Sequence, residues 1–116
     1  MFALVVRVEL SDGHEEAFDR LVSETLGRIE GEEPGTFASV VHAVEESPQS
    51  RILHELYNDY EAFETHEHNS HTQRFLTERE QHLRHDPLVW RLSTKAGLAS
   101  ARGDRDRRQL TEVVDP

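Results

Sequence analysis

The sequence predicts an α+β domain of ferredoxin-like order, β-α-β-β-α-α-β, with helices covering one face of an antiparallel sheet. Three observations predict it. Four segments alternate with the two-residue period of a strand, the segments between them repeat at helical intervals, and turns rich in Gly, Pro and Asp separate the two kinds. At 116 residues, 35% hydrophobic and 31% charged, the chain has room for one small core and none for a second catalytic domain.

In the first strand Phe2, Leu4, Val6, Val8 and Leu10 point one way and Ala3, Val5, Arg7 and Glu9 the other. Ser11-Asp12-Gly13 breaks this pattern, and Asp12 with Glu15 has capping-box spacing for a helix that begins near His14. Phe18, Leu21, Val22, Thr25, Leu26 and Ile29 form its apolar stripe, and Gly31 is its expected stop. After the Glu32-Glu33-Pro34-Gly35 turn, Thr36 to Val44 reads as a second strand, and Glu45 to Ser50, with Pro48, as a loop. Arg51 to Tyr57 is the third strand, with Leu53, Glu55 and Tyr57 on one face and Ile52, His54 and Leu56 on the other.

Asn58 with Glu61 repeats the capping-box spacing and opens a short helix through Ala62, Phe63 and His66. Ser70 with Gln73 does the same for a longer helix, whose Phe75, Leu76, Arg79 and Leu83 share a face and which Asp86-Pro87 ends. Leu88, Trp90 and Leu92 alternate against Val89, Arg91 and Ser93 in a fourth strand. The domain therefore spans 1–96, and a polar, arginine-rich tail occupies 97–116, expected to lie as an arm on a partner subunit. The first three strands are apolar on both faces while the helices of one chain cover only one, so the second face needs another layer, and a homodimer is expected.

Thirteen Lys and Arg against 23 Asp and Glu give a net charge of −10, which repels phosphate backbones and anionic lipid, so neither nucleic acid nor a membrane is an expected partner. With no cysteine there is no disulfide scaffold, thiolate nucleophile or zinc-thiolate site. No stretch reaches the roughly 18 apolar residues of a membrane helix, and the N-terminus carries neither a basic leader nor a cleavage site; a soluble, cytoplasmic protein is expected. Gly-rich phosphate loops, G-x-S-x-G and flavin fingerprints are absent from the sequence.

Among candidate residues, Glu55 stands on a half-buried strand face, where a carboxylate shifts its pKa or finds a cation. It either serves chemistry beside His66 or pairs with Arg91 or Arg7. His66 and His71 either serve chemistry or brace the helix junction. The set His66, His68 and His71 does not read as a metal site, because positions 66 and 68 of one helix point roughly 200° apart. His82 and His85 read as a solvated helix face, and no metal is expected.

The run Glu33-Pro34-Gly35, the strand Ile52-Leu53-His54-Glu55-Leu56-Tyr57, the step Glu61-Ala62-Phe63, and His66 followed by Asn69-Ser70-His71 and Gln73-Arg74-Phe75 resemble the antibiotic-biosynthesis monooxygenase domain over residues 2 to about 95. The resemblance implies a dimeric α/β-barrel, each subunit holding a cavity between its sheet and its helices. It implies a monooxygenase that oxidises a phenolic or hydroquinone-type small molecule with O₂ and no cofactor. His66 would be the base, helped by Glu55 or His71, with Tyr57 and Trp90 holding the aromatic ring and Leu53 and Phe75 completing the pocket. Antibiotic-oxidising members carry Asn where Leu53 stands. Haem-degrading members place Asn and a ligating His where this chain has Val6 and Leu76, so haem is not expected. Two alternatives stay open: a non-catalytic dimeric binding or accessory protein, and an isomerase of a phosphorylated small molecule, which needs a cation such as Arg7, Arg51, Arg74 or Arg91 at the cavity.

Overall fold

A computed structural model describes residues 1–98. The strands are β1 (Phe2–Glu9), β2 (Thr36–Val44), β3 (Ser47–Tyr57) and β4 (Leu88–Ser93), and the helices α1 (Glu15–Glu32), α2 (Tyr60–His68) and α3 (Ser70–Arg79), the last followed by a 3-10 turn, Glu80–His82. The strands form one antiparallel sheet in the order β2-β3-β1-β4, so the predicted element order and fold class hold. Among the described residues no helix is long and apolar enough to cross a membrane. The arm expected over 97–116 lies, from residue 99 on, outside the described residues.

Register decides which side chains meet. Val6 pairs with Leu53 and Leu4 with Glu55 across β1 and β3, and this parity turns Val6, Val8 and Leu53 toward the helices. There they pack with Leu10 on Phe18, Leu21 and Val22 of α1 and Phe75 of α3, all buried. At the other end Tyr57, Phe63 and Phe2 make a second aromatic cluster, with Phe2 and Phe63 rings 4.6 Å apart.

The opposite parity faces away from the helices. Val5 pairs with Trp90 and His54, and the row Leu88, Trp90, Leu92 stands 57%, 46% and 42% exposed, so one apolar sheet face is left uncovered by the described residues.

Several boundaries differ from those predicted, each for a local reason. Asp12 does not cap α1; it accepts hydrogen bonds from Gln49 and Arg84, and His14 takes the cap position without a side-chain bond. Asp59, not Asn58, caps α2, its Oδ1 accepting the Ala62 N–H at 2.8 Å. Asn69 rather than Ser70 precedes α3, and Gln73 turns back to the Glu67 carbonyl. The expected loop over 45–50 is mostly strand: β3 begins at Ser47, and Pro48 is tolerated because the register slips between Ala43 and Val44, leaving no ladder bond for it to donate.

Gly35 is required by a close approach. A Cβ built on it would lie 2.7 Å from the Ala62 Cβ, so α2 sits directly on the turn that opens β2. Gly35→Ala should destabilise the fold by about 1–3 kcal/mol in urea denaturation. In the double variant Gly35→Ala/Ala62→Gly most of the steric loss should vanish, so the cycle should show a coupling of about 1 kcal/mol or more beyond the helix-propensity cost of Ala62→Gly. Additive losses would contradict the contact.

Candidate active site

The site is built around a carboxylate at the end of the first helix. Glu33 caps α1, its N–H bonding the Ile29 carbonyl, and its side chain turns inward to 6% exposure. Oε1 accepts the Thr36 hydroxyl at 2.7 Å and the Nδ1–H of His66 at 2.7 Å, and Oε2 accepts from Nε2 of His71. On one unbroken helix His66 and His71 would point roughly 140° apart. They converge because Asn69 is extended, φ −68° and ψ 144°, and swings α3 away from the axis of α2.

His66 is gripped on both sides. Its Nε2 lies 3.3 Å from Glu55 Oε1, and the same oxygen accepts the Tyr57 hydroxyl at 2.6 Å. Burial alone would push the imidazole pKa down, but hydrogen bonds to Glu33 and Glu55 overcome it and raise the value to about 9. His66 is therefore an imidazolium at neutral pH, hydrogen-bonded to Glu33 through Nδ1 and ion-paired with Glu55 through Nε2. Burial would raise the Glu33 carboxyl, yet bonds from His66, His71 and Thr36 hold it below the usual carboxylate range. The Tyr57 phenol, buried against the Glu55 carboxylate, is pushed far up and stays protonated.

Between sheet and helices lies a cavity of about 70 Å³. Its wall is mostly apolar, from Leu4, Val6 and Leu53 of the sheet, Val22 and Ile29 of α1 and Phe75 of α3, and into it face Glu55, His66, Thr72 and Arg79. Of the predicted site residues, Glu55, His66, Leu53 and Phe75 thus line one space. Tyr57 and His71 are buried one step behind, holding Glu55 and Glu33. Trp90 does not join them: its register opposite Val5 puts it on the other face of the sheet.

Glu55 pairs with neither Arg7 nor Arg91. Arg7 bonds Glu9 at 2.7 Å, and the Arg91 guanidinium lies 5.0 Å from the Phe63 ring centre. Arg51 forks onto Asp19 at 2.9 and 3.1 Å, and Arg74 pairs with Glu78 at the surface. None of the four arginines that a phosphate site would call on lines the cavity; Arg79 does. The solvated His82/His85 face is also corrected, since His82 is buried with its Nδ1 2.9 Å from that of His14. Among the described residues no three His, Asp or Glu side chains gather as a metal site would require. Glu33 stands in the Glu33-Pro34-Gly35 run that carries the family resemblance, but nothing local shows that it joins histidines 33 and 38 residues away. The only sequence signal for Arg79 is its place on the Phe75 face of its helix.

Fold and site together define a small ferredoxin-like domain with an apolar cavity and a buried Glu-His-Glu array at its wall. Residues 1–78 match the family described as antibiotic biosynthesis monooxygenase, and the chain belongs to that family. Its backbone is similar to the solved structure of an antibiotic biosynthesis monooxygenase, 18% identical, with a TM-score of 0.74 over 83% of this chain and 100% of that one. It is also similar to a Pseudomonas aeruginosa protein, 22% identical, TM-score 0.71, over 82% and 94% of the two chains. A conserved protein of Methanosarcina mazei, 15% identical, matches with a TM-score of 0.76 over 81% and 92%. At these identities the likeness is one of fold. No curated protein matches the sequence.

The pKa of His66 makes a linkage prediction. Because the folded value, about 9, exceeds the ordinary 6.5, its stabilising contribution is complete below pH 6.5 and is lost as pH rises through 9. In urea titrations from pH 6 to 9.5 the wild type should lose more stability than His66→Gln over that window, and the His66 ring proton signals should titrate near pH 9. A midpoint below 7 would contradict the doubly bonded imidazolium.

Proposed function

We propose that this protein is a cofactor-independent monooxygenase that oxidises a phenolic or hydroquinone-type small molecule with O₂, working as a cytoplasmic homodimer. One observation carries the reading: Glu55 presents a carboxylate to an apolar cavity, with Oε1 taken by Tyr57 and His66 and no hydrogen bond among the described residues on Oε2. A carboxylate so placed is a proton acceptor for a phenol lying in the cavity.

Roles follow from protonation. Held as an imidazolium, His66 does not serve as the base at neutral pH; Glu55 takes that role. His66 supplies positive charge where phenolate develops, at an atom that needs no reorganisation during the reaction. His71 fixes Glu33, and Glu33 fixes His66. The phenol proton passes to Glu55 Oε2, and the phenolate gives one electron to O₂. The radical and superoxide combine, forming a ring C–O bond, and the resulting peroxide anion takes the proton back from Glu55 to become a hydroperoxide. Loss of the ring C–H proton and cleavage of the O–O bond then release water, one oxygen atom staying as the quinone carbonyl. Phenol and O₂ thus give quinone and water, and hydroquinone and O₂ give hydroxyquinone and water; the substrate supplies every electron.

The cavity volume weighs against a fused polycycle. About 70 Å³ lies below both the 300–1,000 Å³ of drug-sized sites and the ~150 Å³ of an apolar cavity that admits benzene, so even one ring enters only if lining side chains move.

Oxygen uptake by metal-stripped protein against hydroquinones, naphthols and anthrones tests the proposal. Uptake should fall about 10²-fold or more in Glu55→Gln, and clearly in His66→Gln and His66→Ala. No uptake from a folded protein would favour the non-catalytic binding alternative, and full uptake in Glu55→Gln would remove the proposed base.

The uncovered sheet face supports the homodimer, a second copy being the layer that buries Leu88, Trp90 and Leu92. Sedimentation at micromolar concentration should give a dimer, and Trp90→Glu should shift it to monomer. A monomeric wild type would contradict this assembly.

A further inference from the structure

We infer that Arg79 is the receptor for a carboxylate on the substrate, so that the natural ligand is a one-ring aromatic acid bearing a ring hydroxyl. The inference deepens the oxygenase reading and rests on it for the reaction, but its binding test does not depend on turnover.

Arg79 is the last residue of α3, and it lines the cavity together with Glu55 and His66. It lies 5.9 Å from the centre of the Phe75 ring, held by cation–π attraction against another lining residue. Among the described residues no hydrogen bond or salt bridge satisfies it. Arg7, Arg51, Arg74, Arg84 and Arg91 all have hydrogen-bond acceptors, Arg28 pairs with Glu32, and Arg20 is exposed to water. Arg79 is different: it is half-buried, and burial depresses its pKa while the charges of Glu55 and Glu80 only partly compensate. A guanidinium without an acceptor among the described residues keeps its donors for water or for a ligand that enters the cavity.

The acceptor it lacks is defined by shape and charge. A guanidinium fork matches a planar carboxylate with two parallel bonds, and the mostly apolar wall beside it suits an aromatic ring. The net charge of −10 repels anions at long range, so a local cation is what lets an acid be retained here. Polar groups then divide the ligand between them: Glu55 takes the hydroxyl proton, Arg79 the carboxylate, and Phe75 and Leu53 the ring between.

Isothermal titration calorimetry with 2,5-dihydroxybenzoate and hydroquinone, which differ by the carboxylate alone, tests this at matched pH and ionic strength. Wild type should bind the acid at least tenfold more tightly than hydroquinone. Arg79→Met, folded by circular dichroism and thermal melting, should bring the ratio near one, and Arg79→Lys, which keeps charge without the fork, should fall between. Equal affinities in wild type, no binding of either compound, or a ratio that survives in Arg79→Met would overturn the assignment. Oxygen uptake separates the two proposals. Acid bound tightly through Arg79 but never consuming oxygen would keep the receptor and sink the oxygenase. Uptake with hydroquinone, without any preference for the acid, would do the reverse.

Discussion

A carboxylate inside a protein is tolerated only when its charge is answered, and Glu33 is answered three times, by His66, His71 and Thr36. Those partners sit on three different elements, so one side chain ties the turn after α1 to β2, α2 and α3. Breaking such a buried pair from one side typically costs 3–5 kcal/mol, a large share of what holds a small domain together. Two residues on, Gly35 lets Ala62 close onto the same turn. The tripeptide Glu33-Pro34-Gly35 thus docks α2 twice, once by charge and once by the absence of a side chain.

From this anchor the electrostatics of the cavity follow. Glu33 and Glu55 lie on opposite sides of one imidazole, and an alternating order of negative, positive, negative is the arrangement that keeps all three charges in a poorly hydrated place. Tyr57 completes it from below with a donor that does not ionise. The structural and chemical readings of His66 are therefore not rivals. The bond to Glu33 braces the helix junction, and that same bond fixes the protonation state the ring presents toward Glu55 and the cavity.

Periodicity made the layers legible, because alternation and helical spacing record burial, and burial is set by the sheet and its helices. All four strands and all three helices were readable in this way. Caps were not: in a chain with 23 acidic residues the Asp-x-x-Glu spacing arises without capping anything, and Asp12 found Gln49 and Arg84 instead. Parity along β4 separated Trp90 from Arg91, but only register and packing tell which of them faces the helices; Arg91 does, against the Phe2, Tyr60 and Phe63 rings. Glu55 and His66 were visible as unusual residues at the right spacings, whereas Glu33 looked like turn chemistry because its partners are remote in sequence. Arg79 was one more polar residue on an apolar helix face until the cavity gave that face an interior.

The two faces of the sheet are one mechanical object. β3 carries Glu55 toward the cavity, and its immediate neighbours His54 and Leu56 point the other way, as Val5 does beside Leu4 and Val6 on β1. Whatever layer covers the uncovered face therefore presses on the same strands that form the cavity floor. Backbone ladders transmit that support directly, since β3 and β1 are the two inner strands of the sheet and each is hydrogen-bonded on both sides. Among the described strands only β4 is exposed along its whole length, and it is the strand whose apolar row most needs a partner. A carboxylate that is to act as the proposed base must hold its position closely relative to its substrate. Placing Glu55 on an inner strand, between a buried imidazolium on one face and an apolar surface on the other, supplies that rigidity without adding residues to the cavity itself.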